Sequence, residues 1–146
     1  MRPMTPDEVV EFMTTGSRTG KLALVRKDGS PTVTPIWFDV DPDTGDFVFM
    51  TGAESAKATM LRREPRVSIC VDVMEMPYDF ARVDGVASIT EHAEDPEAIR
   101  HWATVTCRRF VGDGRAEEFG ARNGGDDEIL VRVRPTKYVG GFGVSE

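Results

Sequence analysis

The stretch of this chain best spaced for chemistry is Thr51-Gly52-Ala53-Glu54-Ser55-Ala56-Lys57-Ala58-Thr59. A strand end runs through small residues into a helix that Ser55 can cap, and Lys57 falls in the first turn of that helix. A cation there is disfavoured by roughly 0.3–1 kcal/mol against the positive end of the helix dipole, and an anion reverses the sign. Free backbone N–H groups, the hydroxyls of Thr51, Ser55 and Thr59, and the Lys57 ammonium can converge on one phosphate. Spacing alone also fits a solvated surface lysine.

A second stretch, Thr34-Pro35-Ile36-Trp37-Phe38, places in a strand a proline that cannot donate to a ladder. That strand belongs at an edge or an interrupted pairing, where a flat aromatic ring system can lie against the backbone with Trp37 as a wall. The plain alternative is that Pro35 blunts an edge and Trp37 fills the core. Met76-Pro77-Tyr78-Asp79-Phe80 reads as a loop entering a strand or as an aromatic lip over a site. No G-x-S-x-G, Walker loop, H-E-x-x-H or strand-borne G-x-G-x-x-G occurs, so the chain names no catalytic residue of its own. Cys70 and Cys107 form no C-x-x-C pair and have no histidine at ligand spacing, which predicts two buried thiols and neither a disulfide nor a metal site.

The elements that must position these residues are short. Thr5-Pro6-Asp7-Glu8 starts a helix with a capping box, and Val9, Phe12 and Met13 share one face. Lys21 to Arg26 and Thr32 to Asp39 form a hairpin about Asp28-Gly29, and Asp46 to Thr51 follows as the third strand of a meander. Ser55 to Arg63 is a short helix that stops before Pro65. Val67 to Val73 and Phe80 to Thr90 are two further strands. Asp95-Pro96-Glu97 opens a helix whose buried face carries Ile99, Trp102, Ala103, Thr106 and Phe110. Gly112 to Asp127 reads as a mobile loop, Glu128 to Pro135 as the last strand, and Tyr138 to Glu146 as a Gly-rich tail. About six antiparallel strands with short peripheral helices predict a small barrel of mixed α+β class, since an open sheet would leave long edges.

The chain has 146 residues, a length for a single domain spanning 1–146, with 40% hydrophobic and 29% charged residues. Its net charge of −7 argues against a nucleic-acid binder held by a general basic field. With no apolar run near the ~18 residues of a membrane span, and no signal-peptide pattern, the expected location is the cytoplasm.

Taken in order, several pieces resemble the pyridoxamine-phosphate-oxidase-like, FMN-binding split β-barrel proteins, and among them the probable flavin- or deazaflavin-dependent oxidoreductases of actinobacteria. They are Gly20-Lys21-Leu22-Ala23, Asp28-Gly29-Ser30-Pro31, Pro35-Ile36-Trp37-Phe38, Lys57 with Leu61 to Ser68, Pro77-Tyr78, and Val83 to Ala87. No single piece is specific, but their order and spacing are. The resemblance runs from Gly20 to about Thr90 and again from Ile129 to Tyr138.

The resemblance implies a split β-barrel homodimer with two cofactor sites at its interface. It implies that Thr51, Ser55, Lys57 and the backbone around Ala56 hold a cofactor phosphate, and that Pro35 to Trp37 lie along the ring. Tyr78, Asp79 and Phe80 would reach across from the other subunit. Ser55 stands where relatives often have Arg, and Met60 where they often have Asn, which leaves less positive charge at the anion site. The implied activity is hydride transfer between coenzyme F420 and a small conjugated organic substrate, with the cofactor carrying the difficult chemistry. FMN is the alternative cofactor, although no added basic residues mark a second phosphate such as that of pyridoxamine phosphate. A non-catalytic protein that holds a flavin, a deazaflavin or haem is the remaining alternative.

Overall fold

The computed structural model describes residues 1–146. A two-residue strand β1 (Arg2–Pro3) precedes helix α1 (Pro6–Thr14). The predicted capping box is present: the Thr5 hydroxyl accepts from Glu8 N at 3.3 Å, and the Glu8 carboxylate accepts from Thr5 N at 2.8 Å. The strands that follow are β2 (Gly20–Val25), β3 (Pro31–Ile36), β4 (Asp39–Val40) and β5 (Phe47–Gly52). Helix α2 (Ala56–Arg63), strands β6 (Arg66–Asp72) and β7 (Phe80–Thr90), helices α3 (Pro96–Val111) and α4 (Ala116–Asn123), and strand β8 (Glu128–Phe142) complete the chain. No helix is long and apolar enough to cross a membrane.

The strands form one antiparallel sheet in the order β3-β2-β6-β7-β8-β5-β4, with β1 added to β8. Strands β3 and β4 occupy opposite edges, yet only Trp37 and Phe38 separate them in sequence. Three peptide units span at most about 11 Å, so the sheet must curl until its edges nearly meet. The fold is therefore the expected split β-barrel with peripheral helices. Inside it, Leu22, Phe38, Phe47, Phe49, Ile69, Val83 and Ile129 belong to one buried cluster, which Val9, Phe12 and Met13 of α1 join. On the outer face, α3 packs Ile99 and Trp102 against Val48 of β5 and Leu130 of β8.

Three sequence expectations need correction. The β2–β3 hairpin forms, but β5 pairs with β8 and β4 instead of extending a meander. The chain leaves β3 after Ile36, sends Phe38 into the core and holds Trp37 outside it, so the next strand begins at the far edge. Second, 112–127 is no loop. A 3-10 turn at Asp113–Arg115 leads into α4, which lies close on α3. A Cβ at Gly120 would meet Thr104 Oγ1 at 2.1 Å, and one at Gly124 would meet Gly120 O at 2.8 Å and Ala103 Cβ at 3.0 Å. These glycines permit backbone contact where their type suggests a break.

Third, most of the Gly-rich tail is strand. β8 continues through Phe142 along β7, and Gly140 and Gly141 leave room for Met4 and Met1, whose sulfurs a Cβ would approach to 2.6 and 2.7 Å.

Candidate functional site

A cavity of about 370 Å³ opens where the end of β3, the end of β5, the first turn of α2 and the paired helices α3 and α4 meet. Pro35, Ile36, Trp37, Thr51 and Lys57 line it, so five predicted site residues from two distant stretches share one wall. Pro35 lies on an edge strand, as a residue without an N–H should. Trp37 neither fills the core nor stands free: its ring stacks on Phe110 of α3 at 5.1 Å with 4° between planes, and Phe119 of α4 is 6.1 Å away.

Arg109 fixes this corner from below. Its guanidinium donates to the carbonyls of Phe38, Met13 and Gly16, the last at 3.1 Å, and lies over the rings of Phe38 and Phe110 at 4.9 and 5.0 Å. Burial pushes the Arg109 pKa down and that of nearby Asp39 up, while each charge partly offsets the shift of the other.

At α2 the sequence reading holds locally. Ser55 is the N-cap, accepting from Ala58 N at 3.1 Å, and its hydroxyl lies 3.0 Å from that of Thr51. Thr59 is exposed and returns its hydroxyl to the Ser55 carbonyl at 3.2 Å. Ser55 and Ala56 line a neighbouring cleft of about 290 Å³ together with Met60, and Lys57 borders both cavities. Lys57 enters no ion pair. The structure thus gathers Thr51, Ser55, Ala56 and Lys57 at one helix start, with Thr59 turned away.

Tyr78, Asp79 and Phe80 lie away from this cavity in the chain. Asp79 borders a cleft with Arg2, Arg18 and Phe142 and accepts from Gly143 N at 2.8 Å. Phe80 pairs with Gly141 in the sheet. Tyr78 is 49% exposed at a positive φ of 60°, on a loop that also exposes Met74 and Met76.

The opposite wall of the cavity was not read from the sequence. Ala103, Thr106 and Cys107 come from α3, Asn123 from α4 and Glu128 from β8. Their signal was the helical spacing of Ala103 and Thr106, which marks a buried face without saying that the face looks into a cavity. Cys107 is buried, and its sulfur accepts from Asn123 Nδ2 at 3.4 Å; burial raises its pKa. The other thiol, Cys70, is half-buried. Register explains Glu128, which pairs with Gly52 where β5 turns toward α2. Burial and neighbouring Asp127 push the Glu128 carboxyl above its ordinary pKa, against the pull of Lys57.

The chain resembles solved structures over most of its length. A conserved hypothetical protein of Mycobacterium tuberculosis is 29% identical, with a TM-score of 0.78 over 94% of this chain and 84% of that one. An F420 reductase is 25% identical, with a TM-score of 0.70 over 88% and 94%. The heme storage protein of Vibrio cholerae shares the fold at 21% identity and a TM-score of 0.69, over 98% and 100%. The model of the pyridoxamine 5′-phosphate oxidase family matches residues 5–138, and with the curled antiparallel sheet and its edge cavity this makes the chain a member of that family of split β-barrels.

Proposed function

We propose that this protein is an F420H2-dependent reductase acting on a small conjugated organic substrate. The observation that carries this reading is the common wall formed by Pro35, Ile36, Trp37, Thr51 and Lys57. A planar edge beside an unpaired ammonium at a helix start suits a phosphorylated tricyclic ring. The cavity volume lies within the ordinary range for small-molecule sites. The 25% identity to an F420 reductase favours the deazaflavin over FMN.

When bound, the reduced cofactor supplies the hydride. The work of the chain is then binding, orientation and exclusion of water. Lys57, with the backbone N–H groups at the start of α2, would hold the phosphate. Thr51 and Ser55 would shape that end through their shared hydroxyl contact, and the β3 end would support the ring. Trp37, held by its stack on Phe110, walls the cavity on one side and would help to shield the ring from water.

The same reading makes the active form a homodimer in the cytoplasm, with Tyr78, Asp79 and Phe80 presented to the partner's cavity. Exposed Met74, Met76 and Tyr78 on one loop support it, since apolar side chains clustered on a protruding segment favour a covering surface. Light scattering at micromolar concentration would read twice the chain mass; a monomer would contradict the dimer.

Equilibrium titrations with F420 and with FMN, followed by ligand fluorescence, test the cofactor. Tighter binding of F420 is expected, and preference for FMN would move the protein to the oxidase-like branch. Oxidation of bound F420H2 on addition of an enone separates an enzyme from a carrier: a carrier would bind without turnover.

A further inference from the structure

Arg62 ties the far end of α2 back to the turn that opens the helix. Its guanidinium donates to the Ala53 carbonyl at 2.8 Å and, through the other terminal nitrogen, to the Glu91 carboxylate at 2.8 Å, just beyond β7. A cation in the last turn suits the helix dipole whichever way it points, and neighbouring Arg63 takes another course, to the Val25 carbonyl at 3.1 Å. The Arg62 and Glu91 side chains are 40% and 43% exposed, so their ion pair by itself adds little to stability. Its effect is local, because it holds the guanidinium at one peptide of the turn.

That peptide is the second of two fixed in succession. The Ala53 N–H donates to the Asp127 carbonyl at 2.8 Å, and the Ala53 carbonyl takes Arg62. The Ser55 N–H then bonds the Gly52 carbonyl at 3.0 Å, and the Ser55 hydroxyl takes Ala58 N at 3.1 Å. The N–H groups of Ala56 and Lys57 are left with no acceptor in the chain. Gly52 and Lys57 line the larger cavity, and Ser55 and Ala56 the cleft beside it, whereas Arg62 lines neither.

We propose that Arg62 is a positioning residue for the anion end of the cavity: anchored by Glu91, it fixes the Ala53–Glu54 peptide and so keeps the start of α2 shaped for a phosphate before one binds. The inference rests on the cofactor reading above and adds to it a residue outside both cavities. Such preorganisation spares the ligand the cost of ordering the turn. Arg62 acts through the backbone and not through its charge, which Glu91 offsets.

Fluorescence titrations of wild type, Arg62→Met and Glu91→Ala with F420 and with the phosphate-free deazaflavin riboside test this role. Arg62→Met is expected to weaken F420 roughly tenfold and to leave the riboside unchanged. Glu91→Ala is expected to weaken F420 about two- to threefold although it removes a negative charge; action through charge alone has the opposite sign. Amide hydrogen exchange of the ligand-free proteins supplies a second readout, in which the Ala53 and Ser55 amides exchange faster in Arg62→Met while the barrel core is unchanged. Wild-type F420 affinity in Arg62→Met, equal weakening of both ligands, tighter F420 binding by Glu91→Ala, or unchanged exchange would each overturn the positioning role while leaving the cofactor reading intact. Failure of the wild type to bind either F420 or FMN would overturn both.

Discussion

The cavity has two walls of unlike construction. One is made by backbone features: a proline at a sheet edge, a strand end and a helix start, at Pro35–Trp37 and Thr51–Lys57. The other is made by helix side chains, Ala103, Thr106 and Cys107, held in place because α4 packs tightly on α3. The first wall depends on residue types that few other local structures use. The second depends on packing between elements distant from the barrel's main core. The difference teaches that a cavity can take one half from local motifs and the other from tertiary contact.

Breaking the helical wall should have the largest effect. Gly120→Ala drives a methyl group into the Thr104 hydroxyl, and neither backbone can move far. A loss of about 3 kcal/mol is expected in denaturant titrations, with α4 displaced. Weaker F420 binding should follow, although no residue of the strand wall has changed.

Arg109 joins the two walls, since it ties the Phe38 carbonyl and the α1 exit to α3. Arg109→Met keeps the stem and loses those charged hydrogen bonds, and should cost about 2 kcal/mol by the same measurement. A neutral result would show that the Trp37 corner stands without it.

Glu128 lies at the seam between the walls, and its effect has a definite sign with pH. Its folded pKa is raised, mainly by burial, so it holds its proton more firmly in the folded than in the unfolded state. Stability from this group is therefore present below the unfolded carboxylate pKa and is lost as pH rises through the raised folded value. Glu128→Gln should raise Tm at pH 7 relative to wild type, with the advantage vanishing near pH 4. It should also tighten F420 by about 2- to 5-fold, because a negative charge beside Lys57 is gone.

Glu8 provides the comparison far from both walls. Arg2 and the α1 cap hold its carboxyl well down, at a pKa of about 2. Its contribution is present above the ordinary glutamate range and is lost as pH falls toward 2. Glu8→Gln should flatten the fall of Tm between pH 5 and 2 and leave F420 affinity unchanged. A change in affinity would mean that the cavity senses the N-terminal helix.

How much the sequence disclosed follows the same division. Pro35, Ser55 and Lys57 announce themselves because a strand proline, a cap hydroxyl and a first-turn cation each have a narrow range of physical uses. Glycine has a wide one. Gly120 and Gly124 read as breaks in 112–127 but serve close helix contact, and Gly140 and Gly141 read as a loose tail but make space for Met4 and Met1. Glu128 was invisible because its place depends on pairing with Gly52 across more than seventy residues of chain. Thr106 was visible only as a member of a buried face. Whether a buried threonine is satisfied is decided by geometry that periodicity does not encode.

The most direct test of the central claim is an equilibrium fluorescence titration of wild type and Lys57→Ala with F420. Saturable binding by the wild type, weakened roughly 10- to 100-fold in the variant, is the result expected when a charged hydrogen bond to phosphate is removed. Equal affinity in the two proteins, or no binding by the wild type, would contradict the assignment of this cavity to a phosphorylated deazaflavin.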